Sequence, residues 1–446
     1  MSTAYTGTKP QLTFWQIFNM CFGFFGIQFG WSLQMGNMSA VYEFLGAKPE
    51  EIPGLWLAAP MTGLLVQPII GYLSDRTWHP KLGRRRPYFL IGAILSSLAL
   101  FVLPNSSAVW MAAGTLWILD SCINISMEPF RAFVGDNLND KQMSFGYAMQ
   151  SMFIGLASFI SGYLPSKLVQ WEWLGITREK GAGGIPQNIM WSFYIGGAVF
   201  FIAVLYTVLF SKEYPPSNPT WREDLKKEQG KGIVAEITDA IKNMPTQMKR
   251  LAVVNFLTWP GLFLMWFFYS TGCAAQIFGG DIKTNPELYT KGLEHANETS
   301  AILNLVTFIF SFTLPFWVSK IGKKYTHTLC LLIGGAGLIS VFFIQNPSYL
   351  FISMGMVGVA WASILSMPYS MLAGCLPKEK MGVYMGIFNF FIVLPEILAS
   401  LFFGKIMDNF LDNNRLAAVL IGGCLLTVAG IVCAFIVKEN KEPAVA

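Results

Sequence analysis

The chain has 446 residues, 53% of them hydrophobic and only 13% charged, with a net charge of +5. A soluble domain carries about 25% charged residues to cover its surface, so a soluble globular protein is excluded, and so small a positive excess implies no nucleic-acid partner. The apolar residues come in long runs: Met190 to Phe210 has no charged side chain. A run of about 18 or more such residues is the signal of a membrane-spanning helix.

Met1 to Thr13 holds one basic residue, Lys9, and no small-residue cleavage pattern follows the first apolar run. The first helix is therefore expected to direct insertion itself, without a cleaved signal peptide. A hydropathy window of about 19 residues gives spans at 14–36, 54–74, 88–104, 109–133, 145–165 and 188–211. After a polar stretch come 250–272, 299–319, 327–345, 349–373, 381–404 and 416–437. This predicts an all-α membrane protein of twelve transmembrane helices in two six-helix bundles, 1–211 and 250–446, joined by a linker over 212–249.

Positive charge assigns the sides. The loop after the second span carries Arg76, Lys81, Arg84, Arg85 and Arg86, and the linker carries Lys212, Arg222, Lys226, Lys227, Lys231, Lys242, Lys249 and Arg250. Lys320, Lys323 and Lys324 follow the eighth span, and Lys438 and Lys441 follow the last; the alternate loops are short or acidic, as at Glu43, Glu50 and Glu51 against Lys48. The positive-inside rule then places the linker and both termini in the cytoplasm. In the linker, Ile233, Ile237, Ile241 and Met244 recur at helical spacing with Asp239 and Lys242 between them. That suits an amphipathic helix, lying on the inner membrane surface or packed on the ends of the bundle. The seven cysteines lie in apolar stretches and read as packing residues, not disulfides or metal ligands.

The fourth span is the informative one. Asp120, Asn124, Glu128 and Arg131 fall on one stripe at about 100° per residue, with Ile118, Ile125 and Phe130 mostly elsewhere. Ionised and polar groups in a bilayer face a cavity or a partner, because exposure to lipid costs a few kcal/mol each. Asp120 and Arg131 lie about 16 Å apart along an unbroken helix, too far to pair directly, whereas Glu128 and Arg131, at i and i+3, can pair. Pro129 removes one backbone donor and loosens the helix there. A carboxylate enclosed in such a cavity can load and unload a proton near neutral pH. Asp120 is the first candidate for that role, with Glu128 and Glu396 of the eleventh span behind it. The histidines His79, His295 and His327 are expected in or beside loops.

Gly71-x-x-x-Asp75-Arg76 followed by Gly83-Arg84-Arg85-Arg86 joins the second and third spans, and Phe316-Trp317-Val318-Ser319-Lys320 followed by Gly322-Lys323-Lys324 echoes it between the eighth and ninth. Paired six-helix repeats around a central cavity are the layout of the major facilitator superfamily, and the first of these stretches resembles that superfamily's cytoplasmic signature. On this reading Asp75, Arg76 and Asp136 form a cytoplasmic gate, while Arg84 to Arg86 also serve topology. Further stretches resemble the sucrose-transporter branch: Phe29-Gly30-Trp31-Ser32-Leu33-Gln34, Val66-Gln67-Pro68-Ile69-Ile70-Gly71-Tyr72, Trp117-Ile118-Leu119-Asp120, Pro129-Phe130-Arg131-Ala132, Leu257-Thr258-Trp259 and Gly386-Ile387-Phe388-Asn389.

The resemblance covers nearly the whole chain. It implies proton symport of a glucoside disaccharide such as sucrose or maltose, with Asp120 as the proton site and Arg131 as its functional partner. It implies no cofactor, a cell-membrane (inner-membrane) location and a working monomer. The compact form suits a bacterial member. The chain departs from plant members at Pro49, where they carry a histidine, and at Tyr269, Thr271, Ala275 and Gln276, where they carry acidic and basic residues. Glu43, Glu128 and Glu396 stand where plant members are uncharged. A sugar needs convergent polar groups and aromatic faces; the candidates are Gln34, Asn37, Gln67, Asn124, Arg131, Gln150, Asn304 and Asn389, with Trp31, Trp266, Trp361 and Tyr369 as platforms. Sodium coupling, an exporter of the same fold and a sugar sensor stay open as alternatives. No phosphate-cradling loop, metal-ligand spacing or nucleophile–histidine pair points to an enzyme.

Overall fold

The computed structural model describes residues 9–47, 55–56, 58–177, 179, 181, 184–214, 233–281, 284–377, 380–412 and 414–438. Pro49, Lys48, Glu50, Glu51, Arg222, Lys226, Lys227, Lys231 and Lys441 lie outside them, as does the side chain of Glu43. The described regular structure is helical apart from two isolated β-bridges, His79 with Gly83 and Asp281 with Asn285.

The first predicted half forms α1 (Phe14–Phe44), α2 (Ala58–Arg76), α3 (Arg86–Val102), α4 (Val109–Asn137), α5 (Asp140–Gln170) and α6 (Gln187–Phe210). A short α7 (Ile233–Lys242) precedes α8 (Thr246–Gly272), α9 (Pro286–Ser311), α10 (Leu314–Phe343), α11 (Leu350–Ile364), α12 (Met367–Ala373), α13 (Met381–Phe388), α14 (Phe390–Phe410) and α15 (Arg415–Ile436). Among the described residues nine helical stretches are long and apolar enough to cross a membrane. The spans predicted in α1, α2 and α9 are filled by helices of comparable length diluted with polar side chains such as Gln28, Gln34, Gln67 and Asn304. Sharp connections are set by side-chain caps: Asn139 accepts from the Gln142 amide to start α5, and Asn285 and Asn414 do the same for α9 and α15.

The predicted boundary between the eighth and ninth spans shifts. The helix ends at Ser311, restarts at Leu314 and breaks again at Gly322, whose φ is 81°. Gly83, its counterpart in the other basic motif, has a φ of 78°; both positions require the left-handed backbone that glycine adopts without strain. The weak echo between the two motifs is thus a shared turn.

The chain divides into two compact units. One comprises Met1–Met244 with Leu376–Asn389, and the other Pro245–Cys375 with Phe390–Ala446. The first is held by close helix approaches at small residues, with Gly26 and Gly30 of α1 against Phe200 of α6. Phe24, Phe89, Phe130 and Phe133 form a buried aromatic cluster beneath α4, with the Phe89 and Phe130 ring centroids 4.7 Å apart. In the second unit Gly261 of α8 lies against Gly422 of α15, and Gly335 of α10 against Gly423. The outward faces carry Leu98, Ile118, Ile202, Phe402 and Phe435, all well exposed, as a lipid-facing surface requires.

The linker helix α7 packs on α2 and α13. Glu236 and Ala240 on its buried face, and Met244 just past its end, are spaced four residues apart, while Val234 and Ile241 are exposed. A glutamate therefore leads the docked face of a helix whose isoleucines suggested a purely apolar one.

Candidate functional site

The stripe of α4 faces into the first unit. Asp120, Asn124 and Glu128 are buried, Arg131 is half-buried, and Ile118 on the opposite face is 59% exposed. The helix runs unbroken through Pro129. Asp120 meets α1, where Gln34 Nε2 donates to its Oδ1 at 2.5 Å. Asn124 meets α2: Gln67 Nε2 donates to Asn124 Oδ1 at 2.5 Å, and Asn124 Nδ2 donates to Thr62 Oγ1 at 3.2 Å and to the Asp120 carbonyl at 2.9 Å. The predicted residues Gln34, Gln67, Asp120 and Asn124 are thus brought together by α1, α2 and α4.

This lattice is incompletely satisfied. Asp120 Oδ2, Gln34 Oε1 and Gln67 Oε1 are buried acceptors with no hydrogen-bond partner among the described residues, and the buried hydroxyl of Tyr42 is in the same position. Tyr42 is within electrostatic reach of Asp120. A buried polar group left without a partner costs about 1–3 kcal/mol, so four such groups, one of them an oxygen of Asp120 itself, are expected only where a polar ligand or a proton completes them. Sequence reading missed Tyr42, because a tyrosine near a span end resembles an ordinary interfacial anchor.

Glu128 departs from expectation. It is fully buried, and neither carboxylate oxygen accepts a hydrogen bond among the described residues, so the direct pairing expected with Arg131 is not made. Arg131, Arg85 and Asp75 act on it through space. Of the other candidates in the first unit, Gln150 is buried and donates to the Phe130 carbonyl at 3.4 Å, and Asn37 donates to the Leu33 carbonyl one turn back. Trp31 is half-buried on α1, and Asn389 is buried just after α13.

In the second unit, Trp259, Trp266 and Trp361 form a cluster, with Trp361 edge-on to the other two at centroid distances of 5.8 and 5.6 Å. The Trp259 indole N–H is buried without a partner among the described residues. Asn304 donates to the Ser300 carbonyl at 3.3 Å, Tyr369 is buried, and Glu396 is half-buried on α14. The histidines differ from expectation. His295 and His327 lie within helices, and His327 is buried with its Nδ1 2.9 Å from Ser363 Oγ; only His79 sits in a turn.

The basic loop is a dense network. Asp75 accepts from the Gly382 and Val383 amides of α13 at 3.0 and 2.9 Å, capping that helix with a carboxylate. Arg85, fully buried, donates to Asp75 at 2.5 Å, to Asp136 at 2.7 Å and to Ser74 Oγ at 2.6 Å. Burial works against its charge, yet Asp136 and Asp75 more than offset this and push the guanidinium upward. Arg84 adds a 3.2 Å contact to Asp75. Arg76 turns elsewhere, to Glu236 of the linker helix in a two-pronged pair, with its guanidinium 3.8 Å over the Tyr72 ring. Asp75 and Asp136 therefore share one arginine, while Arg76 ties down α7. Glu213, just past α6, accepts from the Arg85 amide at 2.8 Å, and burial pushes its carboxyl up to about 7. Nothing in the local sequence of Glu213 or Glu236 distinguished them from solvated linker charges.

Comparison with known proteins places this geometry. The family model described as Major Facilitator Superfamily matches residues 20–400. The chain is 24% identical to the sucrose transport protein SUT1 of Oryza sativa subsp. japonica, covering 91% of this chain and 85% of that protein. It is also 24% identical to the sucrose transport protein SUC4 of Arabidopsis thaliana, with 93% and 88% covered. Among solved structures, the transporter FucP in its outward conformation superposes with a TM-score of 0.68 at 13% identity, over 95% of this chain and 99% of that one. The proton:xylose symporter XylE gives 0.66 at 13% identity, over 93% and 94%. The chain belongs to the Major Facilitator Superfamily.

Proposed function

We propose that this protein is a proton-coupled symporter of a disaccharide, an α-glucoside such as sucrose or maltose, working by alternating access. The observation that carries this reading is Asp120: a buried carboxylate in a spanning helix, with one oxygen held by Gln34 and the other without a partner among the described residues. Such a group exchanges a proton without breaking an ion pair. The orphaned acceptors Gln34 Oε1 and Gln67 Oε1 beside it call for hydroxyl donors, which a sugar supplies in quantity. The likeness to sucrose transport proteins supports the substrate class, and the name of XylE supports the coupling ion.

In this reading Asn124, Arg131, Asn37, Gln150 and Asn389 contribute further polar contacts, and Trp361 with its tryptophan neighbours offers the aromatic face. Glu128 and Glu396 are additional intramembrane carboxylates available to the proton. Asp75, Arg76 and Asp136 belong to the cytoplasmic gate. Residues 1–211 and 250–446 act as the two rocking halves about the 212–249 linker, with both termini in the cytoplasm and a monomer as the working unit.

The test is direct. The purified protein in liposomes, given sucrose or maltose, is expected to move protons inward with the sugar, with or without sodium. Sodium-driven uptake with no sugar-dependent pH change would sink the proton reading.

Tyr42 sharpens the proton assignment. Its hydroxyl has no partner among the described residues and lies in the electrostatic field of Asp120, and in this reading it turns to the carboxylate when Asp120 is ionised. Tyr42→Phe removes that donor and nothing else, so the pH profile of uptake is expected to move to higher pH by about half a unit to one unit. An unchanged profile would show that the phenol does not serve Asp120.

A further inference from the structure

The most anomalous group in the first unit is Glu128. It is fully buried and neither oxygen accepts a hydrogen bond among the described residues, an arrangement that costs several kcal/mol for an ionised carboxylate. It sits two turns from Asp120 on the same face of α4, about 12 Å along the helix axis. Its helix packs on both α2 and α13, and two turns further along that helix Asp136 is held by Arg85 at 2.7 Å; the charges that act on Glu128 are those of Arg131 of its own helix, Arg85 at the start of α3 and Asp75 at the end of α2. Two of these three belong to the contact that caps α13. Arg85 holds Asp75, and Asp75 holds the Gly382 and Val383 amides.

We propose that Glu128 is a proton-operated release for this latch, in a role that rests on the symporter reading. With a proton bound, Glu128 is neutral and leaves Arg85 to Asp75 and Asp136, so the cap on α13 is whole. When it gives that proton up, its new charge lies in the field of the same Arg85 and repels Asp75. The arginine then has a competing anion, Asp75 loses part of its support, and the carboxylate's hold on the two α13 amides weakens. The proton is the coupling ion itself, taken up and released at one carboxyl, so no other reactant is needed. Glu128 acts here through Arg85 and does not need to touch the sugar; it is a positioning residue.

The experiment reads the latch without using sugar. Amide hydrogen exchange, followed by mass spectrometry on the intact protein in liposomes, reports the peptide holding Gly382 and Val383. After correction for the intrinsic pH dependence of exchange, protection of that peptide in the wild type is expected to fall as pH rises. In Glu128→Gln, which is permanently neutral, protection should stay high, at least about tenfold above wild type at alkaline pH, with no pH response. Glu128→Asp should keep the response, and Asp75→Asn added to Glu128→Gln should abolish the protection. Equal profiles in wild type and Glu128→Gln, or lower protection in the variant, would overturn the proposal. So would high protection that survives Asp75→Asn. If wild-type liposomes fail to move sugar with protons while this peptide still responds to Glu128, the symporter reading falls and the latch stands.

Discussion

Asp120→Asn is expected to abolish uphill sugar accumulation while leaving sugar binding and sugar-for-sugar exchange within a few-fold of wild type. The amide has nearly the shape of the carboxyl, and its oxygen can still accept the hydrogen bond that Gln34 now gives to Asp120 Oδ1. What it cannot do is gain and lose a proton. Coupling is a free energy shared between two ligands on one protein, and it is reciprocal. If the proton no longer distinguishes one state of the carrier from another, the proton gradient exerts no bias on the sugar, and accumulation falls to equilibration however well the sugar binds. The measurement is internal sugar at steady state in liposomes under an imposed pH gradient, beside exchange at equal sugar on both sides. Undiminished accumulation in the variant would remove Asp120 from the coupling role. Loss of both accumulation and exchange would mark it as a binding residue instead.

Much of this arrangement is legible in the sequence. The bilayer forces backbone groups into helices and lipid-facing side chains to be apolar, so the run from Met190 to Phe210 and its counterparts announced themselves. The α4 stripe was legible for the same reason: Asp120, Asn124 and Glu128 at four-residue spacing are costly unless they share an inward face. The break between α9 and α10 was not, because a turn near Phe312 lies inside a continuous apolar run and hydropathy averages across it. Nor were Tyr42, Glu213 and Glu236, which look ordinary where they stand and take their meaning from distant partners. The expected Glu128–Arg131 pair shows the converse limit. Helical spacing permits a contact, but the surrounding charges and packing decide whether it forms.

The least local feature is the contact between Gly71 and Gly382, and it carries the second large prediction. Gly71 opens the Gly-x-x-x-Asp-Arg motif, and a Cβ placed there would lie 2.6 Å from the Gly382 carbonyl carbon and 3.0 Å from the Val383 nitrogen. A Cβ on Gly382 would meet Arg85 Nη1 at 2.6 Å and the Gly71 carbonyl oxygen at 2.7 Å. These obstructions are backbone and a fully buried arginine, which cannot swing aside as an exposed side chain would. Gly71→Val must therefore push α2 and α13 apart, and the first bonds to lengthen are those from Asp75 to the Gly382 and Val383 amides, one turn away. Hydrogen bonds to a charged group contribute about 1.5–3 kcal/mol each, so losing both shifts the latch toward its open form by roughly a hundredfold or more. Uptake is then expected to fall at least about tenfold with the protein still inserted and folded. Exchange of the Gly382–Val383 peptide should accelerate by a comparable factor, the opposite of the change expected for Glu128→Gln. Gly71→Ala should show the same change to a smaller degree. Normal uptake and normal protection in Gly71→Val would mean that the close approach of α2 and α13 is packing alone. The second glycine of the pair offers an independent check, since Gly382→Ala obstructs the same contact from the other side and should reproduce the phenotype without altering the motif.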